Sequence, residues 1–246
     1  MPAFRMKIAG QAATVAALFD STAQYFRAYL TEDTAHFSIA VSPEDLIFEQ
    51  AVLDEEAREE GFRRRQFTDP FLERAAVQRA FAEHLVGHDT LMLHGSTVAV
   101  DGQAYLFTAR SGTGKSTHTR LWREVFGSRA VMVNDDKPFL QLRPEGVLAC
   151  GSPWSGKHGL DSNVTLPLKG ICILERGAEN RIRPMAAEDA LPMLLHQSYQ
   201  PQDSAKRAHS EALVHALAQR TPLWHMECTK DPDAAIIAHA AMSANR

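Results

Sequence analysis

Residues 109–117 read Ala-Arg-Ser-Gly-Thr-Gly-Lys-Ser-Thr. They lie between an apolar run, YLFTA, and a segment with helical periodicity through Leu121, Trp122, Val125 and Phe126. No other stretch constrains the fold as strongly. It demands a buried strand, a tight bend and a helix in direct succession, the grammar of an α/β sheet with flanking helices. Gly112 and Gly114 allow the backbone to aim successive N–H groups inward at an anion, and the helix N-terminus adds partial positive charge. The pattern is that of a phosphate loop. Arg110, Ser111, Gly112, Thr113, Gly114, Lys115, Ser116 and Thr117 are expected to bind ATP, with Lys115 on the outer phosphates and the Ser116 hydroxyl on Mg²⁺. Arg110 has two readings, a phosphate contact or a solvent-facing side chain. Ala109 stands where the strict pattern has glycine, which is tolerable only if it keeps φ < 0.

The neighbouring patterns extend this α/β reading. Residues 1–50 mix strand-like runs (MKIAG, ATVAALF, HFSIAV) with polar breaks and read as a small β-rich lobe. The charged stretch 51–68 is compatible with a helix or a linker. A helix is expected from Asp69-Pro70 to about Gly87. The runs LMLHGSTVAV and AYLFTA are joined by Asp101-Gly102, a favoured hairpin pair. AVMVN is a short buried strand. FLQL and GVLAC flank a turn at 143–146, and VTLPLKGICILERG is a long strand, broken or at an edge at Pro167. Ala187–His196, Ser204–Gln219 and Asp233–Met242 read as helices and LWHMEC as a strand. The expected division is a lobe and linker over 1–68 and a catalytic domain over 69–246.

AVMVN ends at Asp135-Asp136, twenty residues after Lys115. If that strand runs parallel to the one entering the bend, both carboxylates arrive beside the phosphates, since sites in such sheets lie beyond the carboxyl ends of strands. One can hold Mg²⁺ and the other can accept a proton from an attacking hydroxyl. Adjacent side chains on an extended strand point opposite ways, so the strand end must be irregular for the pair to converge. Asn-Asp-Asp is also ordinary turn chemistry.

Together, SGTGKST, the Asp-Asp pair and Leu93-His94-Gly95 on a preceding strand resemble the catalytic domain of the HPr kinase/phosphorylase family. They also resemble the nucleotide-binding core of ATP-dependent phosphoenolpyruvate carboxykinase. The resemblance covers roughly residues 90–180. It implies a P-loop-containing mixed sheet, with Asp135 as base toward an acceptor hydroxyl, Ser116 and Asp136 serving the metal, and His94 beside the base. The family's Leu-Glu-x-Arg-Gly segment has only a shortened counterpart, Leu174-Glu175-Arg176-Gly177, so no role carries over there. HPr kinases are hexamers, which makes a homo-oligomer a further implication.

The segment Gly151–His158 finds no match in the HPr kinases, and the loop Trp154–Asn163 overlaps it. The loop holds an aromatic residue, a lysine and a histidine between glycines, and follows the aspartate strand. Lys157 is a candidate second positive charge for a transferring phosphoryl group; a surface loop with a half-buried tryptophan is the competing reading. Glu175-Arg176, at a strand end, has two readings, a surface ion pair, which is favoured, or a role in the site; His118, near the start of the helix after the bend, has a place near the acceptor as its weaker reading. The remaining histidines lack metal-ligand spacing.

Composition excludes several classes. With 26 basic and 30 acidic residues the net charge is −4, unlike a nucleic-acid binder. The runs Asp54-Glu55-Glu56, Glu59-Glu60 and Arg63-Arg64-Arg65 read as solvated, mutually paired charge. Three cysteines without a C-x-x-C pair suit reduced thiols in a cytoplasmic protein. The N-terminus does not read as a signal peptide, and no window has the ~18 apolar residues of a membrane span. The expected function is a Mg²⁺-dependent, ATP-using kinase acting on a hydroxyl of a protein, a peptide or a small metabolite. The alternative is a non-catalytic ATP-binding regulatory or scaffold module.

Overall fold

The computed structural model describes residues 2–59 and 61–244. Glu60, counted above in the acidic run, lies outside the described residues. The chain divides into two compact units, Met1–His84 and Leu85–Arg246. No described helix is long and apolar enough to cross a membrane.

The first unit holds a three-stranded sheet. Strands β1 (Ala3–Ile8) and β2 (Gln11–Ala16) form an antiparallel hairpin, and β3 (Phe37–Ala40) joins β2 in parallel. Helices α1 (Asp20–Tyr25), α2 (Pro43–Glu59) and α3 (Asp69–Val86) accompany them. The helical alternative for the charged stretch holds to residue 59, but α2 begins earlier, at Pro43. There Ser42 and Asp45 exchange hydrogen bonds, Ser42 N–H to the Asp45 carboxylate at 3.0 Å and Asp45 N–H to Ser42 Oγ at 3.3 Å, in the manner of a capping box. Of the expected pairing between the acidic and basic runs, Arg64 meets Asp54 at 2.6 Å, and Arg58, outside the basic run, meets Glu55.

The second unit is built on a mixed sheet of nine strands. These are β4 (Thr90–Met92), β5 (Ser96–Val100), β6 (Gln103–Thr108), β7 (Ala130–Asn134), β8 (Phe139–Arg143), β9 (Gly146–Cys150), β10 (Thr165–Arg176), β11 (Arg181–Pro184) and β12 (Leu223–Cys228). The main order is β4-β8-β9-β10-β6-β5-β7, with β12 also on β10 and β11 on β12. The helices are α4 (Lys115–Phe126), α5 (Ala187–Gln197), α6 (Ser204–Arg220) and α7 (Asp233–Ser243).

Period-2 alternation sorts the central strands between two cores. Ala104 and Leu106 of β6 and Ile171 and Ile173 of β10 pack with Leu194 of α5 and Val214 of α6. Tyr105, Phe107, Cys172 and Leu174, on the opposite face, pack with Trp122 of α4 and Ala238 of α7. With helices on both faces, the near-continuous apolar runs of β6 and β10 have somewhere to go. The result is the α/β class the bend demanded.

Three details depart from the sequence reading. The run LMLHGSTVAV is two strands: β4 pairs with β8, β5 pairs with β6 and β7, and the break falls at His94-Gly95. The interruption expected at Pro167 is a change of neighbour within β10: Thr165–Pro167 pairs with β9, Leu168 onward with β6, and Ile171–Arg176 also with β12. Strand β11 had no periodic signal in its four residues. The Asp101-Gly102 hairpin is as expected, with φ of +50° and +78°.

Candidate functional site

Strand β6 is buried from Ala104 to Thr108 and enters the bend through Ala109, which is fully buried. Ala109 is not among the described non-glycine residues with positive φ, so the methyl group in place of glycine is accommodated. Gly112 and Gly114 have φ of +74° and +124°, conformations that side chains resist. Gly114 is the N-cap of α4, and no side chain caps it. The first amides of a helix lack intrahelical acceptors, so this end is suited to an anion. Lys115 is buried and its Nζ donates to the Ala109 carbonyl at 3.1 Å. Arg110, Ser111 and Ser116 are exposed, and Thr117 is partly buried.

Strand β7 is antiparallel to β5, which is antiparallel to β6. Strands β6 and β7 therefore run the same way, and the bend and the Asp135-Asp136 pair lie at the same sheet edge. Short bonds tie the two together. The Gly95 amide donates to the Asp136 carbonyl at 2.9 Å, and the Ser96 hydroxyl meets the Thr119 hydroxyl of α4 at 2.8 Å.

Asn134, one residue before the pair, is the organiser that sequence reasoning passed over. It is fully buried. Its Oδ1 accepts the amides of Asp136 and Lys137 at 2.7 and 2.6 Å, an Asx turn that supplies the required irregularity. Its Nδ2 donates to the Ser152 carbonyl at 2.7 Å and the Trp154 carbonyl at 3.4 Å. The Asn-Asp-Asp turn chemistry was legible; its use as a bracket for a distant loop was not.

The turn sends the two carboxylates into different surroundings. Asp135 is buried, its Oδ1 accepts the Gly156 amide at 2.6 Å, and its Oδ2 has no hydrogen-bond partner among the described residues. Burial pushes its pKa above the ordinary carboxylate value; the Gly156 bond opposes this and the neighbouring Asp136 charge adds to it. Asp136 moves the other way. Burial raises it, but the bond from His94 and the charges of Lys137, His94 and Lys115 outweigh burial and hold it below the usual range.

His94 Nε2 lies 3.2 Å from Asp136 Oδ1. The resemblance would set this histidine beside the base, Asp135; in the fold it contacts the other carboxylate. Its backbone is held on both sides, the amide by the Gln197 carbonyl at 2.7 Å and the carbonyl by the Thr108 hydroxyl at 2.9 Å.

The 151–163 loop is laid along the end of β7. Asp135 N–H donates to the Leu160 carbonyl and Ser162 N–H to the Val133 carbonyl, both at 3.1 Å. Trp154 is buried against Phe139, with ring centroids 6.2 Å apart, so the reading of a half-buried surface tryptophan does not hold. Lys157 and His158 are exposed in the turn that Gly159 N–H closes onto the Gly156 carbonyl at 2.9 Å.

Two expectations are corrected. Glu175 and Arg176 do not pair with each other: Glu175 meets His225 at 3.1 Å, and Arg176 turns to the bend, donating to the carbonyls of Thr113, at 3.3 Å, and Gly112. His118 is a core residue, not a site residue. It is buried against Phe107 and accepts a hydrogen bond from Trp122 Nε1 at 3.0 Å, and burial lowers its pKa to about 4.

No protein-family description matches the chain, and no curated protein does. Among solved structures, it is similar to the Hpr(Ser) kinase/phosphatase from Coxiella burnetii. The two are 11% identical, with 62% of this chain and 88% of that chain covered and a TM-score of 0.38. A likeness this loose assigns no residue a role.

The donor set suits Mg²⁺ shared with a phosphate group. Asp136 is held in its charged form, and the Ser116 hydroxyl is exposed on the first turn of α4. The described residues include no cluster of three or more His, Cys, Asp or Glu side chains able to cage a metal. Mg²⁺ at a phosphate site needs only one or two protein ligands beside substrate oxygens and water.

Proposed function

We propose that the chain is a Mg²⁺-dependent phosphotransferase that moves the γ-phosphoryl group of ATP to a hydroxyl of a protein, a peptide or a small metabolite. One observation carries the reading. At the sheet edge that bears the glycine bend and Lys115, two adjacent carboxylates are held in opposite electrostatic states, one raised and partly unpartnered, the other lowered and paired.

In this reading the bend amides, the α4 N-terminus and Lys115 hold the phosphates. Asp136 and Ser116 hold the cation, and His94 orients Asp136. Mg²⁺, when bound, supplies charge neutralisation across the phosphate oxygens. Asp135 is the base: burial raises its pKa, which makes it a stronger proton acceptor than an ordinary carboxylate. Oδ2 takes the acceptor's hydroxyl proton, the acceptor oxygen bonds to the γ-phosphorus, and the bond to the β–γ bridging oxygen breaks as ADP leaves. Phosphoryl transfer asks little more than this positioning and charge stabilisation. Lys157, one residue beyond the amide that holds Asp135, is assigned a second positive charge near the transferring group. The resemblance drawn from SGTGKST, His94 and the aspartate pair names the same class of reaction.

The test is incubation with γ-labelled ATP, Mg²⁺ and pooled peptides and metabolites. Labelled product supports the reading. Saturable ATP binding with neither transfer nor hydrolysis overturns it in favour of a nucleotide-sensing module. Lys157→Ala with full turnover removes that residue from the mechanism without touching the rest.

A further inference from the structure

We infer that Arg176 is a positioning residue for nucleotide binding, acting by locking the peptide planes of the bend from outside. The inference rests on the reading of residues 109–117 as the nucleotide site.

Arg176 closes β10, the parallel neighbour of β6, so the sheet delivers its side chain beside the bend although 64 residues separate it from Gly112. Its Nε donates to the Thr113 carbonyl at 3.3 Å and its Nη2 to the Gly112 carbonyl. Among the described residues no acid forms an ion pair with Arg176, and adjacent Glu175 is engaged by His225 at 3.1 Å.

The consequence follows from peptide geometry. A trans peptide is planar, with its C=O and N–H pointing opposite ways. Holding the Gly112 and Thr113 carbonyls therefore sets the direction of the Thr113 and Gly114 amides, the first of which also donates to the Arg110 carbonyl at 3.3 Å within the bend. These two planes need such a restraint more than others. They lie between Gly112 and Gly114, whose φ of +74° and +124° are open to a residue with few steric limits, and a Cβ on either glycine would meet nothing within 4 Å. Without Arg176 the Gly112–Thr113 plane keeps its bond to Arg110, while the Thr113–Gly114 plane has to be ordered when the anion arrives. With the tie, the amides are already directed, and preorganisation of this kind appears as affinity. A guanidinium suits the task because its planar fork reaches two oxygens in fixed geometry, whereas an ammonium is a single point.

The experiment compares wild type, Arg176→Ala and Arg176→Lys by calorimetric titration with Mg²⁺·ATP, by steady-state KM and kcat for ATP, and by amide hydrogen exchange in the nucleotide-free protein. The expected result is a weakening of ATP binding on the order of ten-fold or more in Arg176→Ala, from loss of two charge-assisted bonds. KM should rise in parallel with little change in kcat, and Arg176→Lys should recover only part. Exchange should quicken at residues 112–114 and stay unchanged in β6, whereas general destabilisation would speed both. Arg176 is exposed, so both variants are expected to fold. Arg176→Ala binding ATP as tightly as wild type overturns the inference alone. Wild type failing to bind ATP overturns it together with the nucleotide-site reading.

Discussion

The backbone amide of Gly156 donates to Oδ1 of Asp135 at 2.6 Å across 21 residues of sequence. One oxygen of the carboxylate is thereby fixed by the 151–163 loop, while Oδ2 stays buried with no hydrogen-bond partner among the described residues. A carboxylate in that condition is costly to keep ionised and ready to take a proton.

Asp135→Asn should separate activity from stability. Phosphoryl transfer should fall by about 10²–10⁴-fold while ATP binding persists. The stability change follows from linkage. The folded pKa of Asp135 is raised, so the folded state holds its proton more tightly than the unfolded chain. There is no penalty below the unfolded value of 3.8, and the penalty appears as pH rises through the folded value. Urea denaturation should therefore find Asp135→Asn more stable than wild type at neutral pH, with the two converging in acid. A neutral variant less stable at pH 7 would contradict this.

His94→Gln should act through the cation. The side chain that lowers and orients Asp136 at 3.2 Å is lost, and loss of such an outer partner weakens metal binding by about 10–100-fold. The Mg²⁺ concentration for half-maximal activity should rise accordingly, while saturating Mg²⁺ restores most of the rate. An unchanged Mg²⁺ dependence would detach His94 from Asp136 in function.

Two glycines of the loop should fail in different ways. A Cβ on Gly151 would lie 1.8 Å from the Ser162 carbonyl oxygen, a backbone atom that cannot step aside. Gly151→Ala should destabilise the fold by about 3 kcal/mol or more, at the top of the range for overpacking. A Cβ on Gly156 would lie 3.3 Å from Asp135 Oδ1. Gly156→Ala should leave thermal unfolding close to wild type and lower turnover. Equal losses of stability in the two variants would show that the Gly156 contact is only packing.

His118 should make the protein acid-sensitive. Its folded pKa is lowered from 6.5 to about 4, so the neutral ring is favoured in the core. Its contribution is whole above the unfolded value and is lost as pH falls from about 6.5 toward about 4, a shift worth about 3 kcal/mol. His118→Gln keeps an acceptor for Trp122 and should flatten the stability–pH curve over that window. A curve as steep as wild type would place the acid sensitivity elsewhere.

The chain's linear order determined the pieces whose rules are local. A glycine-rich bend needs specific residues within nine positions, a hairpin needs Asp101-Gly102, and amphipathic helices repeat every few residues; all of these could be read in place. The α/β class followed from the apolar run before the bend and the helical periodicity after it. What reached the candidate site from a distance could not be read. Asn134 meets Ser152 over 18 residues, Asp135 meets Gly156 over 21, and Arg176 meets Gly112 over 64. Those contacts exist because β6, β7 and β10 end at one sheet edge, and strand order is a property of the whole sheet that no short window encodes. For the same reason the sequence identified both aspartates but could not say which would be raised and which lowered. The sign depended on whether a loop amide or a histidine from the β4–β5 break came to lie beside each, and folding alone decided that.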